Sequence, residues 1–265
     1  MSLEAAEQTQ RFYDTLASDY DLIFADWHAS VRRQAEILDR IIRGRLAGWP
    51  LSVLDCTCGI GTQAIGLALR GYRVHATDFS TAAVARAQRE AGAAGATLTF
   101  GIADLRWLAE QVTGHFDVVL SCDNALPHLL TDGELRLAIR NLWAKLVPGG
   151  LLLVSIRDYD TLLEHKPRAE LPRVLDGPEG RRIVFQIWDW EPEAPVYLLH
   201  HFILRQQGAN WRTSHHQARY RALRRAELSA MLGEAGFLDV RWQLPDETSY
   251  TQPLVTARKP KGAQQ

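Results

Sequence analysis

The chain has 265 residues, 46% of them hydrophobic and 23% charged, with a formal net charge of −1. This is the balance of a globular chain with a sizeable core, and it gives no electrostatic reason to expect nucleic acid or an anionic membrane as a partner. Three cysteines (Cys56, Cys58, Cys122) are too few for a disulfide framework, and no apolar run approaches the roughly 18 residues that span a bilayer.

Residues 3–17 read as a helix with Phe12, Tyr13 and Leu16 on one face, broken at Ser18-Asp19-Tyr20-Asp21. The N-terminus is polar and acidic, unlike a secretory leader, and buried thiols in a cytoplasmic setting are expected. A second helix is expected from about Ser30 to Arg43, its apolar positions Val31, Ala35, Leu38 and Ile42 at helical spacing. Gly48-Trp49-Pro50 then turns the chain into Val53-Leu54-Asp55-Cys56-Thr57-Cys58-Gly59-Ile60-Gly61-Thr62. That apolar run stops at an acid and then at two glycines. Residues 63–70 return to a helical pattern, and Tyr72 to Thr77 form a second short apolar run ending in Asp78. The unit is strand, glycine loop, helix, strand, with a carboxylate closing each strand. Gly59 and Gly61 let backbone pass close to a ligand, and the helix behind them offers unpaired N–H groups. Asp78 stands where an acid meets ribose hydroxyls in nucleotide-binding sheets, so a ligand carrying adenosine is expected.

Gly59-Ile60-Gly61-Thr62-Gln63-Ala64 formally fits the dinucleotide fingerprint G-x-G-x-x-A, which would make the ligand a nicotinamide cofactor. Asp55 points elsewhere, because a carboxylate there would repel a pyrophosphate but suit a cationic amino group. An ordinary tight strand-to-helix turn is the bland alternative.

After Asp78 the pattern gives a helix over 80–92 and a third strand over 97–102. Ala103-Asp104-Leu105 follows, with Trp107 and Leu108 as candidate apolar contacts to a base; Asp104 could instead cap the next turn. Strand four (116–121) runs into Cys122-Asp123-Asn124-Ala125-Leu126-Pro127-His128. A helix over 132–146 stops at Pro148-Gly149-Gly150 and leads to strand five, 151–156. Residues 158–222 break the α/β alternation: 183–191, 196–207 and 211–223 read as three antiparallel strands. His200-His201 and His215-His216 lie there, but neighbours in a strand face opposite ways, so neither pair can chelate. Cys56-x-Cys58 also lacks metal spacing, and no metal is expected. A helix over 225–235, strand six (238–244) and strand seven (253–259) close the chain, with a loose tail after 260.

The D-x-x-x-G-x-G spacing at Asp55, Gly59 and Gly61 resembles motif I of class I S-adenosylmethionine-dependent methyltransferases, with Thr57 where that family often has glycine. The order of elements is similar along nearly the whole chain. The resemblance implies an α/β fold: a Rossmann-like seven-stranded sheet with helices on both faces and a small antiparallel β insertion after strand five. The implied layout is cap helices and cofactor-binding half over 1–157, an insertion capping the substrate over 158–222, the rest of the core over 223–260, and a tail over 261–265.

A narrower resemblance, to glycine and glycine/sarcosine N-methyltransferases, rests on Asp55-Cys56-Thr57-Cys58-Gly59, on Asn124 through His128, and on Ile156-Arg157-Asp158-Tyr159-Asp160. It implies S-adenosyl-L-methionine as cofactor, S-adenosyl-L-homocysteine as product, and a small-molecule acceptor such as glycine. The cofactor set implied is Tyr20, Arg33, Asp55, Gly59, Gly61, Asp78, Phe79, Ala103, Asp104, Leu105 and Cys122. Asn124 and Tyr20 would orient the acceptor amine through oxygen acceptors, and Arg157 would pair with its carboxylate. For Tyr13 the amphipathic-cap reading is favoured, and for His128 a structural hydrogen bond. A larger hydrophobic amine or phenol acceptor, or a noncatalytic cofactor-binding protein, are the alternatives. The sequence carries no mark of an oligomeric state.

Overall fold

Where the apolar runs and turn residues lead is seen in a computed structural model, which describes residues 3–177 and 180–262. Helix α1 (Leu3–Leu16) passes through a 3-10 turn at Tyr20–Ile23 into α2 (Trp27–Arg45). Asp26 caps α2 by accepting from the Ala29 N–H at 2.9 Å. Next come β1 (Ser52–Asp55), α3 (Thr62–Leu69), β2 (Arg73–Asp78), α4 (Thr81–Ala94) and β3 (Thr99–Ile102). The alternation continues through α5 (Leu108–Gln111), β4 (Phe116–Ser121), α6 (Asp132–Lys145) and β5 (Leu146–Ser155). Beyond β5 lie α7 (Tyr159–His165) and the strands β6 (Arg173–Gly177), β7 (Gly180–Trp190), β8 (Val196–Gln207) and β9 (Asn210–Arg221). The chain then returns through α8 (Arg225–Glu234), β10 (Leu238–Gln243), α9 (Pro245–Thr248) and β11 (Leu254–Arg258).

Seven strands form one sheet in the order β10-β11-β5-β4-β1-β2-β3. Only β11 runs against its neighbours, antiparallel to both β5 and β10. The strand order reverses between β1 and β4, and the crevice outside their carboxyl ends is where open α/β sheets bind ligands. Val53, Val118 and Leu151 sit side by side in register, and so do Leu54, Val119 and Leu152. The first row packs with α2 and α3 residues such as Leu38 and Leu67. The second packs with α6 and α8 residues such as Leu142 and Leu232. Both faces of the central strands are therefore covered, which is why these strands read as unbroken apolar runs.

Strands β6 to β9 make a separate antiparallel sheet. Its inward residues, among them Val184, Trp188, Tyr197, Leu199 and Tyr220, join the core of the second face. The three expected insertion strands are four. Strand β6 was not anticipated because it is short, carries exposed residues such as Val174, and occupies the sheet edge, where burial leaves little alternation to read. Helix α7 was likewise unexpected. Residues 263–265 of the expected loose tail lie outside the described residues.

Helices α2 and α3 meet at Gly66, where a Cβ would stand 2.6 Å from the Ala35 Cβ and 2.7 Å from the Val31 carbonyl oxygen. Gly92, inside α4, has open space around the same position. Gly66→Ala is expected to destabilise the fold by about 1–3 kcal/mol through overpacking. Gly92→Ala should stabilise it by about 0.5–1 kcal/mol through helix propensity. Thermal or urea denaturation of the two variants should give shifts of opposite sign.

Candidate active site

The loop after β1 is shaped by its two glycines and by the acid at the end of β2. Gly59 has φ +52° and donates its N–H to Asp78 Oδ2 at 2.9 Å. Gly61, at φ +96°, opens α3, and a Cβ on it would meet Ile65 Cδ1 at 2.7 Å. Asp78 Oδ1 accepts from the Ser80 N–H at 2.9 Å. Burial pushes Asp78 up to about 6 against these hydrogen bonds. Helix α1 lies across the opening, with Gln10 donating to the Phe79 carbonyl at 3.3 Å and Asp14 accepting from Ser80 Oγ at 2.5 Å.

Beneath α1 is a cleft bordered by Gly59, Asp78, Phe79, Ala103, Leu105 and Cys122, with Tyr13, Tyr20, Asp104 and Asp123 also on its walls. A second cavity, of about 550 Å³, is bordered by Asn124, Arg157, Gln186, His201, Tyr220 and Arg33, and by an apolar wall that includes Phe12, Leu16 and Phe24. Tyr13, Tyr20 and Asp123 border both. The structure thus sets a cleft at the glycine loop beside a polar chamber walled by the insertion, with two phenols bordering both.

Of the residues expected at the cofactor, Tyr20, Gly59, Asp78, Phe79, Ala103, Asp104, Leu105 and Cys122 border the first cavity. Arg33 is exposed and borders only the second. Asp55 borders neither. It lies fully buried under the loop, with Oδ1 3.4 Å from the Thr57 N–H and Oδ2 without a partner. Burial raises its carboxyl to about 8, so it organises the loop from below and does not present a free charge to the cleft. Gly61 acts through backbone shape alone. Asp104 accepts from the Arg106 backbone N–H at 2.8 Å and from its Nε at 2.9 Å, so the turn-capping alternative describes it. Trp107 is exposed and Leu108 belongs to the core; the apolar wall expected from them comes from Leu105 and Leu129.

Asp123 and Asn124, at the end of β4, have φ +55° and +67°, a left-handed pair that non-glycine residues adopt only when held. The holding bonds come from β5. The Asn124 N–H donates to the Ser155 carbonyl at 3.1 Å, and Asn124 Oδ1 accepts from the Arg157 N–H at 3.0 Å. The Asn124 oxygen, expected to face an amine, thus already accepts one hydrogen bond that holds the loop, and the amide Nδ2 is a buried donor with no hydrogen-bond partner among the described residues.

Arg157 pairs with none of its sequence neighbours. Asp160 and Asp158 lie against Arg225, at 2.8 and 3.7 Å, and Asp123 accepts from Gln63 at 2.9 Å. The guanidinium donates through Nη2 to Gln186 Oε1 at 3.0 Å and lies 5.0 Å from the Trp188 ring, while Nη1 has no partner. Burial works against its charge, but the surrounding Tyr197, Tyr159 and Tyr220 and the Glu170 carboxylate more than offset this.

Tyr13 Oη lies 2.8 Å from His128 Nε2, and the His128 ring rests against Tyr220 with centroids 4.0 Å apart. Burial lowers His128 to about 3, which leaves it neutral near pH 7. Tyr13 was read from the sequence as a cap residue, yet it borders both cavities. Gln186, His201 and Tyr220 were not singled out as site residues. The signal for them is alternation along the insertion strands, which becomes informative only once the strand register is known.

Residues 53–150 match the family described as a methyltransferase domain. The glycine/sarcosine N-methyltransferase of Parasynechococcus marenigrum is 30% identical over 161 residues, covering 61% of this chain and 56% of that protein. The chain is similar in sequence and in fold to class I S-adenosylmethionine-dependent methyltransferases. Its fold is shared with the sugar N-methyltransferase KedS8 from Streptoalloteichus, at a TM-score of 0.73 and 20% identity over 91% of this chain and 92% of that one. It is shared as well with CalS10, an amino pentose methyltransferase from Micromonospora echinaspora solved with S-adenosylmethionine bound, at a TM-score of 0.70 and 19% identity, covering 87% and 92%. The alignment to the glycine/sarcosine enzyme spans little more than half of that relative's length. The residues present fit this cofactor: an open glycine backbone beside a buried, cleft-facing Asp78 is a cradle for a ribose.

Because Asp55 is raised to about 8 from an ordinary value near 3.8, the folded chain holds a proton that the unfolded chain releases between those values. Its contribution to stability is present below that window and lost as pH rises through it. Asp55→Asn is expected to flatten this loss. In thermal denaturation without cofactor, the midpoint of the variant should exceed that of the wild type near pH 8 and approach it near pH 4.

Proposed function

We propose that the chain transfers a methyl group from S-adenosylmethionine to the nitrogen of a small amine that carries a carboxylate, an amino acid of the glycine or sarcosine kind. The observation that carries this reading is Arg157: a buried, permanently charged fork just past the carboxyl end of β5, bordering the second cavity and, among the described residues, with no carboxylate in direct ion-pair contact. A buried cation without a directly paired anion costs several kcal/mol; the Gln186 hydrogen bond and the more distant Glu170 charge offset part of this, and a ligand carboxylate would offset more. The similarity to glycine/sarcosine N-methyltransferases supports the same acceptor class.

When bound, S-adenosylmethionine supplies a methyl group on a sulfonium, an excellent leaving group that needs no acid catalysis. The work left to this chain is alignment in a dry pocket. Asp78 would take the ribose hydroxyls, and Gly59, Phe79, Ala103, Leu105 and Cys122 would enclose the nucleoside. Arg157 would fix the carboxylate of the acceptor, and with it the direction of the amine lone pair. Tyr20 and Tyr13, at the junction of the cavities, would flank the reacting nitrogen with phenol oxygens. His128 is held neutral and committed to Tyr13, which supports an orienting role over that of a base. The insertion, residues 158–222, would act as the substrate cap on the core built from 1–157 and 223–260. A cytoplasmic setting belongs to this reading, and the free, buried state of Cys56, Cys58 and Cys122 supports it.

A second reading is favoured by the size of the second cavity, which far exceeds glycine and has a wall of Phe12, Leu16 and Phe24. It is an amine acceptor with a larger body, the kind handled by the sugar and amino pentose methyltransferases of the same fold. Turnover with labelled cofactor over glycine, sarcosine, bulkier amino acids and amino sugars separates the two.

Arg157→Lys should raise the acceptor KM at least tenfold, the size of a lost bidentate hydrogen bond to a charged group, with S-adenosylmethionine affinity nearly unchanged. If both affinities fall together, Arg157 is structural; if the best acceptor has no carboxylate, the amino-acid reading gives way to the larger amine. Asp78→Ala should weaken S-adenosylmethionine binding about tenfold or more in calorimetry, and an unchanged affinity in a folded variant would remove Asp78 from the ribose.

A further inference from the structure

In the insertion sheet Gln186 on β7 and His201 on β8 are register partners, and their side chains share a hydrogen bond, Gln186 Nε2 to His201 Nδ1 at 3.1 Å. The orientation of the amide is set from the other end. Its Oε1 lies 3.0 Å from Arg157 Nη2 and 3.3 Å from Trp188 Nε1, and both of these are donors with no acceptor capacity. Gln186 must therefore point oxygen at Arg157 and nitrogen at His201. Its Nε2 donates, so His201 Nδ1 is the acceptor and the ring proton sits on Nε2. That Nε2–H is buried, on a residue 3% exposed that borders the second cavity, and it has no partner.

Among the described residues, the buried side-chain atoms of this cavity that lack a partner are His201 Nε2, Arg157 Nη1 and Asn124 Nδ2. The Asn124 amide is oriented by the same logic, because its oxygen is bound to the Arg157 N–H. All are donors. Such a set favours a ligand rich in acceptors, of which an ionised oxyanion has the largest capacity, and disfavours an ammonium, which can only donate.

We infer that His201 donates its Nε2–H to the carboxylate of the acceptor and is, with Arg157, a residue that determines specificity for it. This deepens the amino-acid reading above and rests on it. Gln186 is the positioning residue: one amide locks the tautomer of His201 and ties it to the guanidinium, so that the two anchors move together. Burial, followed by the charge of Arg157, then His216 and Arg173, lowers His201 to about 3, so it remains a neutral donor. The cavity thereby gains a hydrogen bond without a second cation beside the first.

The test uses the full chain saturated with S-adenosylhomocysteine, and acetate as the probe. In calorimetry, His201→Leu should weaken acetate binding about tenfold, the ratio set by one hydrogen bond to a charged group. His201→Gln, which keeps an N–H donor, should retain most of the affinity. S-adenosylhomocysteine affinity should be unchanged in both. A His201→Leu protein that binds acetate as the wild type does would overturn the assignment to His201 while leaving Arg157 as the carboxylate anchor. A wild type that binds no acetate would overturn the carboxylate reading itself, and the two failures are told apart by the wild-type measurement alone. Should a variant not fold, the histidine ¹⁵N spectrum of the wild type decides: the His201 Nε2–H resonance should shift on addition of acetate, and a resonance that stays in place refutes the contact.

Discussion

The hydrogen bond from the Gly59 N–H to Asp78 Oδ2 is the constraint on which the cleft depends. It fastens the loop after β1 to the end of β2, so the two neighbouring strands close one side of the crevice as a unit. Only a backbone in the left-handed region brings that N–H round to the acid, which is why a glycine stands there. The acid is buried in consequence and its carboxyl is raised, a cost that the backbone donors of Ser80 and Gly59 partly offset. Asp55 completes the arrangement from below. With Asp55 buried and holding its proton, Asp78 is the carboxylate the loop presents, and a ligand that brings hydroxyl donors meets it on favourable terms.

The other side of the crevice is held by β5. Ser155 and Arg157 bind the backbone and side chain of Asn124, and that pairing sustains consecutive left-handed residues at Asp123 and Asn124. Such a conformation survives where surrounding structure over-determines it, and here it aims the loop into the junction between the cavities. The same Arg157 whose backbone fixes the loop directs its side chain across to the insertion. Strain in one loop and a charge in one chamber therefore share a single residue.

The insertion sheet uses its faces differently. Inward residues such as Trp188, Tyr197 and Tyr220 join the core, while Phe185, Phe202, His200 and His215 stack on the outer side. Gln186, His201 and His216 are polar residues on the inner side. Buried polar groups are expensive unless satisfied, and here they are satisfied in part and in one direction, leaving donors free. The resulting chamber is polar on the side of Arg157 and apolar on the side of α1 and the turn that follows it.

Much of this was legible in the residues alone. The glycine loop, the acids closing β1 and β2, and the Pro148-Gly149-Gly150 stop before the apolar run of β5 are local signals, because turn chemistry and period depend on near neighbours. They were enough for a strand, glycine loop, helix, strand unit and a ligand carrying adenosine, while the seven-stranded sheet was implied by the family resemblance. Tertiary structure decided what depends on distant partners. Asp55 proved to lie beneath the loop and Asp104 to be engaged by Arg106, since neither burial nor ion pairing is written in spacing. The Asn124 oxygen proved to accept already from the Arg157 N–H, and Tyr13 moved from surface cap to cavity wall because α1 folds back over Phe79 and Ser80. His201 was read only as half of a histidine pair unable to chelate. Its tautomer is set by Gln186 on the neighbouring strand and by Arg157 on the other sheet, and pairing across strands fixes such details only when the register is known.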